Sequence, residues 1–200
     1  MTAAHHRVEE PIHVRMVALP TPPPDGFTAE DLPWLIEVVD GSFELLDGEV
    51  VTMAPATHWH DEVIDILKFA LRAVAPRAFV IASEKGVNLG SSVPEPDVLA
   101  VSRDAVQADS LLFDARDIHL VVEVDSPRTR TKDRKLRPMQ YAEAGIKHFW
   151  RVENEDDEMV VYTFELLPEG GCYVPSGVFR KRVRLDRPFP IDIELPEVTW

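Results

Sequence analysis

Two acidic residues lie inside short apolar runs of this chain. Asp97 lies in the run of residues 96–101, and Glu123 lies in the run of residues 120–124. Both runs are rich in β-branched residues and predict buried strands. An unpaired buried charge is costly, or its pKa shifts until the group is neutral. Two carboxylates on neighbouring strands can offset this cost by sharing a divalent cation, so the pair predicts a metal site.

Length and composition predict one globular domain behind a short leader. The 200 residues are 45% hydrophobic, which is enough for a single core. Residues 1–27 contain five prolines and no helical period, so we predict a flexible leader there and a single domain over residues 28–200. No apolar run approaches the roughly 20 residues that span a bilayer, and no secretory signal is recognisable, so we expect no membrane partner.

Cys172 is the only cysteine in the sequence. An intramolecular disulfide is therefore excluded, and we expect a cytoplasmic protein in a reducing compartment. Cys172 lies in a late predicted strand, at residues 171–174, with no histidine clustered near it. Free cysteine is usually a small buried hydrophobe, so we interpret Cys172 as a packing residue rather than a nucleophile.

The formal net charge of -14 argues against a non-specific nucleic-acid binder, which usually has a basic face. Basic residues are nevertheless concentrated in two clusters. These are Arg128, Arg130, Lys132, Arg134, Lys135 and Arg137, and then Arg180, Lys181, Arg182, Arg184 and Arg187. A basic patch on an acidic body can contact a phosphate backbone, and the alternative is a solvated basic loop.

The order of elements predicts a mixed α/β or α+β domain. An Asp-Gly pair between two strand-like runs predicts a hairpin over residues 43–53. Apolar residues at three- and four-residue spacing predict a helix over His58–Val74. Shorter helices are predicted around residues 29–35 and 139–142, and further strands at residues 79–82, 86–89, 148–152, 159–166 and from 173 onward. Helices interleaved with strands, followed by an antiparallel tail, are typical of this fold class.

Several candidate site residues occur in a characteristic order. They are Glu44 on the hairpin, His60 at the start of the long helix, Asp97, Glu123 and the basic group after Glu123. This order resembles the PD-(D/E)XK restriction-endonuclease-like superfamily and, more narrowly, the Uma-type restriction endonuclease family of bacteria. The resemblance covers residues 28–195. It is most specific over residues 123–152, whereas the Asp97 motif alone is weak.

The resemblance implies a nuclease core, with a mixed sheet flanked by helices and antiparallel C-terminal strands. It implies that Asp97 and Glu123 are ligands of Mg²⁺ or Mn²⁺ and that DNA is the substrate. Glu44 would be a further ligand or would orient the attacking water, with His60 assisting. Alternatives remain open, because Glu44 could be a surface acid of the hairpin and His60 could bond only to the backbone, with His58 in its place. Asp97 could instead cap a turn.

One position departs from the superfamily pattern. The usual lysine two residues after the second acid is Asp125 here, which alternation places on the same face as Glu123. The resemblance to the Uma-type family instead implies a lysine just before Pro138, and this chain has Arg137 at that position. Arginine can stabilise developing phosphate charge but cannot act as a base. Lys135 and Lys132 are nearby substitutes, and Tyr141 is interpreted as a packing residue.

The leading hypothesis is a Mg²⁺-dependent endonuclease that hydrolyses DNA phosphodiester bonds. One alternative is a catalytically impaired binding or assembly module with the nuclease fold. Another is a hydrolase of small phosphoesters, which the acidic charge suits better than a long polyanion. A homodimer is a further expectation. If Trp34, Phe149 and Trp150 are exposed, they form more aromatic surface than a small monomer needs, although they could equally be core residues.

Overall fold

The computed structural model describes residues 19–53, 55–126 and 132–198. These residues form helices Leu32–Val38 (α1), His58–Val74 (α2) and Arg137–Glu143 (α3). Their strands are Phe43–Leu46 (β1), Glu49–Thr52 (β2), Phe79–Ala82 (β3), Gly86–Asn88 (β4), Val98–Ser102 (β5), Leu112–Asp114 (β6), Ile118–Val124 (β7), His148–Glu155 (β8), Glu158–Leu166 (β9), Tyr173–Phe179 (β10), Arg182–Leu185 (β11) and Ile191–Glu194 (β12). A π-helical turn, Lys132–Leu136, leads directly into α3.

The main sheet has six strands in the order β10-β9-β8-β7-β5-β3. β7 and β8 are parallel, and the other neighbouring pairs are antiparallel. The π-helical turn and α3 connect the two parallel strands, as a parallel pair requires a crossover. This architecture confirms the predicted mixed sheet with helices and an antiparallel C-terminal part.

α2 covers one face of the sheet. Thr57 caps its N-terminus, because the Thr57 side chain accepts a hydrogen bond from the backbone N–H of His60 at 3.4 Å. Val63, Leu67 and Leu71 repeat at four-residue spacing and are completely buried in a cluster with sheet residues and the β11–β12 hairpin. Burying each such side chain contributes about 1.5–3 kcal/mol, so this stripe fixes α2 and with it the position of His60.

α3 lies on the other face, where a second cluster includes Tyr141, Val121 and Phe149. A third cluster, which we call the N-terminal layer, joins α1 to the β1–β2 hairpin through Leu35 and Leu45. The backbone N–H of Val93 donates to the carbonyl of Leu45 at 2.9 Å, which ties β1 to the loop before Asp97. The N-terminal layer therefore holds Glu44, on β1, next to the end of the main sheet.

The turn of the β1–β2 hairpin has the predicted Asp-Gly sequence. Gly48 has a φ of +80° there, and a Cβ at this residue would lie 2.7 Å from the Cα of Gly26. A side chain at Gly48 is therefore excluded by backbone on the opposite segment. The predicted leader of residues 1–27 falls largely on residues 1–18, which are outside the described residues, whereas Phe27 is buried in the N-terminal layer.

Two of the three aromatic residues considered for a dimer surface are core residues, and the interpretation of Cys172 as a packing residue is wrong. Phe149 and Trp150 are fully buried, one in each core on either face of β8, so they cannot belong to a dimer surface; Trp34 is exposed. Cys172 is exposed, because it lies in the turn before β10 rather than inside a strand.

Part of the second basic cluster, residues 180–187, forms salt bridges with acidic residues of the same chain. Arg180 is paired with Glu155 and Glu158, and both Arg182 and Arg184 are paired with Asp192. Within the described ranges, no helix has the length and apolar character needed to cross a membrane.

Candidate active site

Asp97 and Glu123 come from neighbouring strands of the main sheet. β5 and β7 pair antiparallel with Val98 opposite Val122, and extending this register by one residue sets Asp97 opposite Glu123. Asp97 directly precedes β5 instead of lying within it, which differs from the prediction. Its Oδ2 accepts a hydrogen bond of 2.6 Å from the backbone N–H of Val124. Asp97 is thereby fixed to the strand that carries Glu123.

His60 holds Asp97 from the side of α2. Its Nε2 lies 3.3 Å from Oδ1 of Asp97, and both side chains are largely buried. Burial alone would lower the pKa of His60, but the carboxylates of Asp97 and Asp61 outweigh it, so the pKa is raised. His58, the alternative from the sequence, is exposed and lies 3.8 Å from Glu62. His60 is therefore the histidine that contacts a predicted acid.

Glu123 is held from the side of α3. Its side chain is only 7% exposed, and its Oε1 accepts a 2.6 Å hydrogen bond from the hydroxyl of Tyr141. The Nε of Arg137 lies 3.7 Å from the same oxygen. Burial and the negative charge of Glu123 raise the pKa of Tyr141 well above its ordinary value, so its hydroxyl remains a donor. Glu123 thus has both a neutral and a cationic neighbour.

Arg137 joins Glu123 to Glu44. Its guanidinium donates through Nη2 to Oε1 of Glu44 and through Nη1 to Oε1 of Gln140, the latter at 2.9 Å. The side chain of Arg137 is 2% exposed and that of Glu44 is 4% exposed. Burial alone would lower the pKa of Arg137, but Tyr141 and the two carboxylates outweigh it and raise the pKa. Arg137 is therefore a buried, permanent cation between two acids.

Glu44 is buried, so it is not a surface acid of the hairpin, which was one of the alternatives left open by the sequence. Besides Arg137, its Oε1 accepts the backbone N–H of Glu95 at 3.1 Å. Glu95 itself has a raised pKa, through burial and the negative charges of Glu44 and Glu84. Acidic groups are thus concentrated around the loop that leads to Asp97.

Two further predicted positions lie away from these contacts. Lys135 is exposed on the π-helical turn, whereas Arg137 is buried two residues later. Asp125 accepts bonds of 3.1 and 2.9 Å from Arg134, which also contacts Glu153. The position at which the superfamily pattern has lysine is therefore part of a salt-bridge network. The side chain of Lys132 lies outside the described part of the chain.

Sequence reasoning missed the role of Tyr141. It is completely buried and packs against Phe149, as a core residue does, but its hydroxyl contacts Glu123. The available signal was its spacing from Arg137, because residues four apart lie on one face of a helix. A helix that presents a basic residue to the site therefore presents Tyr141 as well.

The donor chemistry of the site fits a magnesium ion. Mg²⁺ is usually bound through one or two carboxylates, with water and substrate phosphate completing its coordination. Asp97 and Glu123 supply two carboxylates at one end of the sheet. Among the described residues, no group of three or more His, Cys, Asp or Glu side chains is placed to hold a metal ion.

Comparison with solved structures supports the fold. The fold is similar to that in the crystal structure of a putative nuclease belonging to DUF820 from Anabaena variabilis ATCC 29413. The TM-score is 0.56 at 13% sequence identity, and the match covers 76% of this chain and 84% of that chain. At this identity the likeness shows a shared fold and nothing about activity.

A family model then identifies the chain more narrowly. The Uma2 model, described as a putative restriction endonuclease, matches residues 22–197. The protein belongs to the Uma2 family. No curated protein matches the sequence.

Proposed function

We propose that this protein is a Mg²⁺-dependent endonuclease that hydrolyses phosphodiester bonds in DNA. The observation that carries the proposal is the register of β5 and β7, which sets Asp97 opposite Glu123 at one end of the sheet. Membership of a restriction endonuclease family supports a nucleic-acid substrate. The buried guanidinium of Arg137 beside Glu123 supports a site that handles negative charge.

Asp97 and Glu123 would hold the ion, with Glu44 as a further ligand or as the group that orients water. When bound, Mg²⁺ polarises the scissile phosphate and lowers the pKa of a coordinated water. His60 and the backbone N–H of Val124 orient Asp97, because both contact its carboxylate.

Arg137 would stabilise negative charge that develops on the phosphate through its permanent positive charge beside Glu123. Its contact with Glu44 fixes its orientation before substrate arrives. Lys135 is exposed on the adjoining turn and would contact the DNA backbone outside the site.

A second candidate function is a nuclease-fold binding module without turnover. The observation that favours it is that Arg137 is already paired with two of the acids that catalysis would use. The formal net charge of -14 also opposes binding of a polyanion. Such a module would bind divalent metal and leave DNA intact.

Supercoiled plasmid incubated with the protein tests both functions. Nicking with Mg²⁺ or Mn²⁺ that stops on addition of EDTA is expected from the endonuclease. Intact plasmid together with calorimetric binding of Mn²⁺ is expected from the binding module. Absence of both nicking and metal binding would contradict both, and cleavage of bis(p-nitrophenyl) phosphate alone would favour a small-phosphoester hydrolase.

Tyr141→Phe is expected to weaken Mn²⁺ binding by about 10–100-fold, the usual cost of losing a group that orients a metal ligand. The substitution removes the hydroxyl that contacts Glu123 and keeps the ring that packs on Phe149. Calorimetric titration with Mn²⁺ measures the effect. Tyr162→Phe is the matched control, because that hydroxyl donates to Glu155 instead. Equal affinities in the two variants would remove Tyr141 from the site.

A further inference from the structure

A cleft of about 350 Å³ lies beside α3, outside the contacts described for Asp97 and Glu123. Clefts that bind small ligands have volumes of about 300–1,000 Å³. Its accessible aromatic residues are Phe164 and Tyr173, which are partly buried and each lie 5.6 Å from the fully buried ring of Phe149 behind them. Met139 of α3, which is 50% exposed, forms part of its wall.

Two arginines are the charged side chains that line this aromatic cleft, and both are paired with acids outside its lining: Arg134 with Asp125 and Glu153, and Arg151 with Glu153. Among the described residues that line it, Arg134 and Arg151 are charged and none is acidic. The guanidinium of Arg151 lies 5.4 Å from the centroid of the Phe164 ring, and its Nε donates to Glu153 at 2.6 Å. Arginine over aromatic rings is the combination on which single-stranded nucleic acid stacks its bases.

The aromatic cleft begins one strand away from the candidate active site. Glu123 on β7 is the register partner of Arg151 on β8, and neighbouring strands are separated by about 4.8 Å. Arg134, at the cleft, is also bonded to Asp125, two residues after Glu123. In a DNA strand with one phosphate bound at Asp97 and Glu123, a neighbouring nucleotide would therefore lie near the cleft.

A base that is paired and stacked in a duplex cannot reach these aromatic residues, because its faces are covered by its neighbours. We propose that the aromatic cleft binds the base of an unpaired deoxynucleotide next to the scissile phosphate. The inference rests on the proposed nuclease function and deepens it, since it makes single-stranded or locally unpaired DNA the preferred substrate.

Cys172 provides the measurement, because it is the only cysteine, is exposed and lines the aromatic cleft. The probe is a single-stranded DNA octanucleotide, added in EDTA so that no cleavage occurs, and the readout is the rate of Cys172 alkylation by N-ethylmaleimide. An occupant slows the reaction by the factor 1 + [L]/Kd, which is about tenfold at ten times Kd. A blunt DNA hairpin of the same sequence is expected to give little protection.

Met139→Glu places a negative charge in the wall of the cleft and is expected to abolish protection, while glutamate remains a good helix former. Phe69→Glu is the matched control, because Phe69 is an exposed apolar residue of α2, outside the cleft. Circular dichroism checks that both variants fold.

Equal protection by the hairpin, absence of protection by the single strand, or unchanged protection in Met139→Glu would each overturn the inference. Protection by an RNA octanucleotide but not by DNA would also overturn it. These outcomes are separate from the nuclease proposal, because alkylation needs no turnover. Plasmid nicking without protection of Cys172 would refute only the proposal that the cleft binds a base. Protection of Cys172 without plasmid nicking would refute only the proposal that the protein is a nuclease.

Discussion

Glu123→Gln and Asp97→Asn are each expected to lower the rate of plasmid nicking by about 10³-fold. A metal ion contributes several kcal/mol of transition-state stabilisation, and each 1.36 kcal/mol corresponds to a factor of ten in rate. Each substitution replaces a carboxylate with an amide of nearly the same shape, which weakens the metal ligand and keeps the packing. Initial rates of nicking at saturating Mg²⁺ measure the loss.

Asp104→Asn is the matched control for these two variants. Asp104 is an exposed carboxylate in the short turn after β5, whereas Asp97 precedes that strand at its other end. Its nicking rate is expected to equal that of the parent. Parent-like nicking by Glu123→Gln or Asp97→Asn would remove that residue from the active site, and parent-like nicking by both would refute the proposed mechanism.

Arg137→Met is expected to lower the free energy of unfolding by about 3–5 kcal/mol, the usual effect of removing one partner of a buried ion pair. Methionine fills much of the same volume, so the loss comes mainly from leaving Glu44 and Glu123 buried without their shared cation. Urea denaturation measures the change. Mn²⁺ is expected to raise the melting temperature more in Arg137→Met than in the parent, because a bound cation replaces the lost charge.

Arg116→Met controls for the general effect of losing an arginine. Arg116 is 81% exposed and is paired with Asp114, and exposed ion pairs contribute about 0–1 kcal/mol. A loss in Arg137→Met as small as that in Arg116→Met would show that the buried pair contributes little. Arg137→Lys keeps the charge and separates the two functions: if it nicks plasmid and the parent does not, the parent is a binding module.

The local patterns of the sequence were sufficient for much of the fold. The Asp-Gly turn predicted the β1–β2 hairpin, and the apolar stripe of Val63, Leu67 and Leu71 predicted α2 and its buried face. Both features are determined by residues close together in the chain. β7, β8 and the helix between them were likewise predicted from one continuous segment, whereas the parallel pairing of the two strands was not.

Contacts between distant segments could not be predicted in this way. Glu44 and Arg137 are 93 residues apart, and nothing in either local pattern indicates that they form a pair. Phe149 and Trp150 alternate along β8, but only the three-dimensional structure shows that both faces of that strand are covered. The exposure of Cys172 likewise depends on the turn that precedes β10.

The tie between β1 and the loop before Asp97 has a consequence for the order in which the molecule assembles. Glu123, Tyr141 and Arg137 meet within one short stretch of chain, whereas Glu44 arrives only when the N-terminal layer has docked. Before docking, the guanidinium has a single acidic neighbour and one side open to water. Docking of the N-terminal layer therefore brings a second carboxylate to a guanidinium that already has one, so a single positive charge is then shared between two buried acids.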